Sequence, residues 1–246
     1  TPGRFRNLRI QGIHIHIGSQ ITEPAPFIGA IKRILNFIDS AGISIEWLNI
    51  GGGLGIVYSD EKPQTAAQFA KKILPYFKGR RFKLILEPGR FIAGNSGILV
   101  TQVLYIKDNP SGKRFAIVDA GMNDLIRPAL YGAYHEILPV KRCTIYDIRN
   151  TTEGSPELRR GTKYDIVGPI CESGDFLAQN RKLPGLKSGD LLAVMGAGAY
   201  GFTMASNYNS RPRTAEIMVV KGKAHIVKKA ETYGDLVRGE IIPKGL

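Results

Sequence analysis

Only two cysteines occur among 246 residues, Cys143 and Cys171, and they have neither metal-ligand nor redox-motif spacing. That excludes a disulfide framework and leaves a reducing cytoplasm as the expected compartment. No apolar run approaches the roughly 18–20 residues that a membrane helix needs, so no membrane partner is expected. The first ten residues, TPGRFRNLRI, lack the apolar core of a signal peptide. Acidic residues are in short supply: 21 Asp and Glu face 34 Lys and Arg, a net charge of +13. Such an excess normally raises nucleic acid as a partner. Here the basic residues are dispersed, and the densest group, Lys71 to Lys83, is interleaved with apolar residues as on the exposed face of a helix and its exit. No nucleic acid is expected, because an anionic small ligand accounts for the positive field equally well. Repeats and low-complexity segments are also absent. A hydrophobic content of 43% and a charged content of 22% place the chain among globular proteins.

What is present falls into two halves. Residues 8–17 read as a buried strand, 43–50 as a second and 82–86 as a third. Between them, residues 24–41 open with Pro24 and Pro26 and space Phe27, Ile31, Ile34, Leu35 and Ile38 on one helical face, with Gly42 as the stop. Residues 64–77 form a second helix with Phe69, Ile73, Leu74 and Phe77 on its apolar side. Strand–helix–strand–helix–strand implies parallel strands covered by helices. From about residue 95 the pattern changes to short strands at 98–107, 114–120, 164–170, 190–195, 214–220 and 223–229, with a turn at 108–112 and a local helix near Tyr200 to Asn207. This half is expected to be an antiparallel β-domain. The expected domains are 1–95 and 96–246. Three strands cannot close a parallel barrel, whose core needs about eight, and an open three-stranded sheet would leave its edges exposed, so the first half reads as incomplete.

Each of the three parallel strands runs into an unusual group. The first meets His16-Ile17-Gly18-Ser19, the second Gly51-Gly52-Gly53 and the third Glu87-Pro88-Gly89-Arg90. Ligands gather at the C-terminal ends of parallel strands, and glycine lets backbone N–H groups approach an anion. Ser19, Gly51–Gly53 and Arg90 therefore suit a phosphate. Alone, a triple glycine reads equally well as a flexible turn, Glu87 as a capping or surface carboxylate, and His16 as a satisfied core histidine. Together, Glu87 suits a ring nitrogen that must stay protonated, and His16 suits stacking on a flat ring. In the second half, Arg127 and Tyr131 lie four apart and would share a helix face, suiting a carboxylate or a plain surface pair. Cys171-Glu172 at a strand exit suits a cationic amine, or a buried cysteine with a solvated acid. Tyr200 sits in a small-residue turn, GAGAYG, and residues 206–213 read as either a loop or an interface.

In this order, HIHIGSQI, LNIGGGLG, EPGR, DAGMNDLIRPALY, GPICESGDF, GAGAYGFTMASNYNSRPR and AETYGDL resemble the diaminopimelate branch of the ornithine–arginine–diaminopimelate decarboxylases, pyridoxal-phosphate enzymes of the alanine-racemase-like fold. The resemblance runs from about residue 9 to residue 238. It implies the C-terminal part of a pyridoxal-phosphate-binding TIM-type (β/α) barrel followed by a β-domain, assembled as a homodimer with shared active sites. It implies pyridoxal 5'-phosphate as cofactor, with His16 on its ring and Glu87 at the pyridine nitrogen. Ser19, the Gly51, Gly52 and Gly53 backbone, and the backbone at Gly89 and Arg90 would lie at the phosphate, with Tyr200 nearby. Arg90, Arg127 and Tyr131 would grip a distal substrate carboxylate and Glu172 a distal amine, with Cys171 a candidate proton donor in the neighbouring subunit's site. His14, Asp119 and Asp175 match the pattern without an assigned role. No metal is implied.

The implied reaction is decarboxylation of meso-2,6-diaminoheptanedioate to L-lysine. Alternatives are a related decarboxylase acting on carboxynorspermidine or carrier-bound glutamate, and a non-catalytic dimerising fragment. One departure stands out. The family's Schiff-base lysine lies in a tyrosine-alanine-x-lysine-alanine motif upstream of the histidine motif, and no such motif occurs here. The expectation is therefore that the first five or so barrel strands are absent and that this chain alone is inactive.

Overall fold

In a computed structural model, residues 7–140 and 161–245 are described. Cys143 lies outside the described residues. The chain divides into two compact units, residues 1–96 and 97–246.

The first unit contains a parallel sheet of order β1-β2-β3, with β1 at Gly12–His14, β2 at Trp47–Asn49 and β3 at Lys83–Ile85. Leu48 of β2 faces Ile13 on one side and Leu84 on the other. Helix α1, Ala25–Ser40, starts as its sequence dictates, with a proline in the first turn where the missing N–H costs nothing. It buries Phe27, Ile31, Leu35 and Ile38. Helix α2, Ala66–Ile73, is closed by a capping box in which the Thr65 side chain accepts from Gln68 N and the Gln68 side chain accepts from Thr65 N. Phe27 and Phe69 meet edge to face at 4.9 Å, joining the helices over Leu48 and Ile50. Leu74 corrects the expectation of a longer apolar face. Pro75 turns residues 74–77 into a 3₁₀ helix, the period tightens to about three residues, and Leu74 is left exposed. The ten-residue strand expected at 8–17 shrinks to β1 because pairing to β2 runs only from the Gln11 carbonyl to the Ile15 N–H. A short helix α3, Gly89–Ala93, follows β3.

The second unit is built on a six-stranded sheet of order β6-β9-β4-β5-β7-β8. Its strands are β4 (Leu99–Asp108), β5 (Arg114–Val118), β6 (Ile137–Val140), β7 (Thr162–Val167), β8 (Phe176–Leu183) and β9 (Leu191–Val194). Val103, Val118, Tyr164, Ile166, Leu177 and Leu192 form its core. All its ladders are antiparallel except β5 with β7, which is parallel. The hairpin β10–β11, Glu216–Val220 and Lys223–Lys228, turns through Lys221 and Gly222, both at positive φ, the geometry that a two-residue hairpin loop demands. Among its described residues are two short α-helices, α4 at Arg127–Tyr131 and α5 at Tyr233–Leu236. The helix expected near 200–207 is a single 3₁₀ turn, Phe202–Met204. Among the described residues no helix is long and apolar enough to cross a membrane.

Candidate functional site

The parallel register of the first unit brings its three strand ends side by side. The ladder continues past the strands: Ile15 N donates to Asn49 O at 2.9 Å, and Glu87 N donates to Gly51 O at 2.9 Å. Glycine is what permits this approach. A Cβ on Gly51 would stand 2.5 Å from Ile15 O and 2.9 Å from His16 Nδ1. On Gly52 it would stand 2.2 Å from Glu87 O, and on Gly53 2.2 Å from Gly18 O. The triple glycine thus lets the middle strand end nest between the histidine turn and the Glu87 turn.

Two of the glycine N–H groups expected to face an anion are committed within the protein. Gly51 N donates to Asn49 Oδ1 at 2.8 Å, and Gly52 N donates to His16 Nδ1 at 3.3 Å. Gly89 N donates to Glu87 O at 2.8 Å. Accepting at Nδ1 orients the His16 ring and, in a neutral imidazole, leaves its proton on Nε2. The other half of the Asn49 amide donates to Glu87 Oε1 at 2.5 Å, and His14 Nε2 lies 3.7 Å from the same oxygen. The Glu87 carboxylate is therefore oriented yet remains half exposed. Arg90 Nη2 donates to Ser19 Oγ at 2.9 Å and Nη1 donates to Tyr58 Oη at 2.6 Å. The Gln20 side chain clasps the Ile56 backbone, accepting from its N–H and donating to its carbonyl.

In the second unit the remaining residues are spread over several loops. The Arg127 side chain is buried, with Nη1 2.7 Å from His135 Nε2, and His135 Nδ1 lies 2.8 Å from the Met195 carbonyl. Tyr131, at the other end of α4, is 65% exposed. So the one-turn helix forms as expected, but its first residue turns inward and its last outward. Cys171 is an exposed free thiol. Glu172 accepts from Tyr208 Oη at 3.4 Å and from Gly174 N at 3.3 Å. Asp175 anchors that loop from below: its buried carboxylate accepts from Met122 N at 2.6 Å and Ile170 N at 2.7 Å. Tyr200 is exposed and adopts a left-handed φ of 61°, a conformation that costs a non-glycine residue about 1–3 kcal/mol. Asp119 accepts from Thr101 Oγ1 and from Gln102 N, while Arg211 donates to the Asp119 carbonyl and to Asn123 Oδ1. Burial pushes the neighbouring Asp124 carboxyl up from its ordinary value.

Sequence reasoning assigned no role to Asn49, Gln20, Tyr58, His135 or Tyr208. Asn49 and Gln20 sit inside segments the resemblance used, LNIGGGLG and HIGSQI, which is the only signal that marked them.

Three parallel strand ends carry an imidazole, a carboxylate and an Arg–Ser pair on neighbouring turns, groups whose chemistry suits a flat ring with an anionic tail. Comparison with known proteins gives the same class. Residues 37–198 match the family described as "Pyridoxal-dependent decarboxylase, C-terminal sheet domain", and the chain belongs to the pyridoxal-dependent decarboxylase family. It is 48% identical over 241 residues to the diaminopimelate decarboxylase of Aquifex aeolicus, covering 95% of this chain and 53% of that one. It is 49% identical over 234 residues to that of Vibrio cholerae, covering 94% and 52%. The crystal structure of diaminopimelate decarboxylase from M. jannaschii in co-complex with L-lysine superimposes with a TM-score of 0.82 at 36% identity, covering 95% of this chain and 52% of that one. The chain spans about half the length of the curated relatives it matches.

Proposed function

We propose that this chain supplies the ring and phosphate side of a pyridoxal 5'-phosphate site for the decarboxylation of meso-2,6-diaminoheptanedioate to L-lysine, in a cytoplasmic homodimer. The observation that carries the reading is the nesting of three strand ends in the first unit. It sets the Glu87 carboxylate, the His16 ring and the Arg90–Ser19 pair on neighbouring turns. These residues fit the cofactor chemically: a cation and a hydroxyl suit its phosphate, and an oriented carboxylate suits a protonated ring nitrogen.

When bound, pyridoxal phosphate supplies an electron sink for the carbon that loses carbon dioxide. On this reading Glu87 keeps the proton on the pyridine nitrogen, and the Asn49 amide keeps Glu87 aimed. His16, its ring pinned by the Gly52 N–H, covers a ring face. Ser19 and the backbone at Arg90 would hold the phosphate, with the Gly89 N–H spent on the Glu87 carbonyl and the triple glycine shaping the turn that receives it; Tyr200 is assigned to the cofactor by the family resemblance. The family resemblance assigns Arg90, Arg127 and Tyr131 to the distal carboxylate and Glu172 to the distal amine, which would reject substrates lacking a second amino-acid head group; Arg127 is turned inward onto His135, so of the α4 pair the exposed Tyr131 is the one open to a ligand. Cys171, an exposed thiol, would be the candidate proton donor, in the neighbouring subunit's site. None of the lysines stands in a tyrosine-alanine-x-lysine-alanine motif, so the cofactor-linking lysine is assigned to no residue of this chain.

The test measures carbon dioxide release from meso-diaminopimelate, carboxynorspermidine and ornithine. The 246-residue chain alone is expected to release none. Co-expressed with the part of the Aquifex aeolicus relative that it does not cover, it is expected to release carbon dioxide from diaminopimelate first. Release by the chain alone at an enzyme-like rate, or a preference for either other substrate, overturns the reading.

A further inference from the structure

Arg90 is the cation of the strand-end site, and an arginine fork is useful to an anion only if its plane is fixed. One of its two terminal nitrogens meets Ser19, the other Tyr58. Tyr58 is 8% exposed, and no sequence motif pointed to it. The Arg90 guanidinium carbon also lies 5.7 Å from the centroid of the Tyr58 ring, so the phenol touches the cation through both its hydroxyl and its ring. Tyr58 is held in turn. Its backbone N–H donates to Glu61 Oε2 at 2.9 Å, and the Ser59 N–H donates to the same oxygen at 2.7 Å. Burial opposes ionisation of Glu61, but those two N–H groups hold its carboxyl below the ordinary value. Within one unit, then, Glu61 fixes the backbone at Tyr58, and the Tyr58 side chain in turn meets Arg90, which meets Ser19.

We propose that Tyr58, fixed by the Glu61 turn, is the positioning residue that sets the plane of the Arg90 guanidinium for an anionic head group. The proposal rests on the reading of Arg90 as an anion-binding residue given above. Two sources of that anion share the chemistry, a cofactor phosphate and a distal substrate carboxylate. A long arginine side chain with one terminal nitrogen tied to a rigid phenol surrenders its rotamer freedom before the anion arrives, and that preorganisation appears as affinity.

The experiment uses the 246-residue chain co-expressed with the part of the Aquifex aeolicus relative that it does not cover, and two pairs of probes: pyridoxal 5'-phosphate against pyridoxal, and meso-diaminopimelate against L-lysine. The first pair isolates the phosphate and the second the distal carboxylate. Binding is followed by calorimetry in the unsubstituted chain, Tyr58→Phe, Arg90→Lys and the double variant. Tyr58→Phe is expected to weaken the anionic member of at least one pair about fivefold to tenfold, roughly the net worth of one ordinary hydrogen bond, with its partner probe changed less than twofold. The same substitution is expected to add nothing in the Arg90→Lys background. Rotation about the Arg90 Cζ–Nε bond, to be measured by NMR, is expected to be faster in Tyr58→Phe than in the unsubstituted chain, a signature that a merely structural role would not move.

If Arg90→Lys weakens the anionic probes while Tyr58→Phe leaves them unchanged, Arg90 keeps its role and the positioning proposal fails. If Arg90→Lys is itself neutral, or the unsubstituted chain binds neither anionic probe, the underlying reading fails and takes the proposal with it. An equal loss of both members of a pair in Tyr58→Phe means collapse of the turn, and likewise overturns it.

Discussion

Replacing Gly52 by alanine would drive a methyl group to 2.2 Å from the Glu87 carbonyl oxygen, a backbone atom that cannot swing aside. The clash has to separate the second and third strand ends. Gly52→Ala is expected to cost about 1–3 kcal/mol, as overpacking does, and to abolish pyridoxal phosphate binding. Gly29 is the control. It lies within α1, where a Cβ would meet nothing within 4 Å, so Gly29→Ala is expected to stabilise the chain by about 0.5–1 kcal/mol through helix propensity alone. Urea unfolding of the two variants beside the unsubstituted chain reads both signs, and destabilisation by Gly29→Ala or tolerance of Gly52→Ala would sink the argument. The contrast matters for function because composition does not distinguish the two glycines. One is a weak point of a helix, and the other is the reason the second and third strand-end turns can touch.

The elements differ in how plainly the sequence announced them. Helix α1 was legible because its apolar spacing, its opening prolines and its closing Gly42 all agree, and the structure buries four of its five expected face residues. Helix α2 carries its own start signal, and the capping box gives a direct test. Thr65→Ala removes the acceptor for Gln68 N at 3.2 Å and is expected to lower stability by about 1 kcal/mol, read as a drop in the urea midpoint without a change of slope. A Thr65→Ser variant should recover most of it. Strands β6 and β8 were not legible. β8, FLAQNRKL, has neither alternation nor β-branched residues and contains Asn180 at φ 51°; tertiary pairing with β7 overrides its weak propensity. β6 carries Pro139, which only an edge strand accepts readily, and β6 is indeed an edge of the sheet. At the site, the turns were visible as motifs because glycine and charge sit at strand ends. Their cross-links were not. That the Asn49 amide joins Gly51 to Glu87, or that Tyr58 meets Arg90 across 32 residues, depends on register and side-chain direction, which exist only after folding.

For the whole molecule, the net charge of +13 sets the response to acid. Three carboxylates are tied to arginines in ways that lower them: Asp39 to Arg80, Asp108 to Arg114 and Glu231 to Arg213. In each case the arginine hydrogen bond holds the carboxyl below its ordinary value. Glu231 shows it most strongly, held down to about 2 from 4.5 by Arg213, the Arg213 N–H and the Asn207 amide. A carboxyl depressed in the folded state binds protons more weakly there than in the unfolded chain. Its contribution to stability is therefore complete above about pH 4.5 and is lost as pH falls toward about 2. Protonation acts twice, removing paired carboxylates and raising a positive charge that already repels itself. Surface pairs are individually weak, so the decline should be gradual. The thermal midpoint is expected to fall steadily below pH 4.5, with added salt softening the self-repulsion. Glu231→Gln cannot be protonated and so removes one such group. That variant should start lower at neutral pH, and its curve should converge on the parent's between pH 4.5 and 2. Parallel curves over that interval would mean that Glu231 is not linked to folding, whatever its contacts.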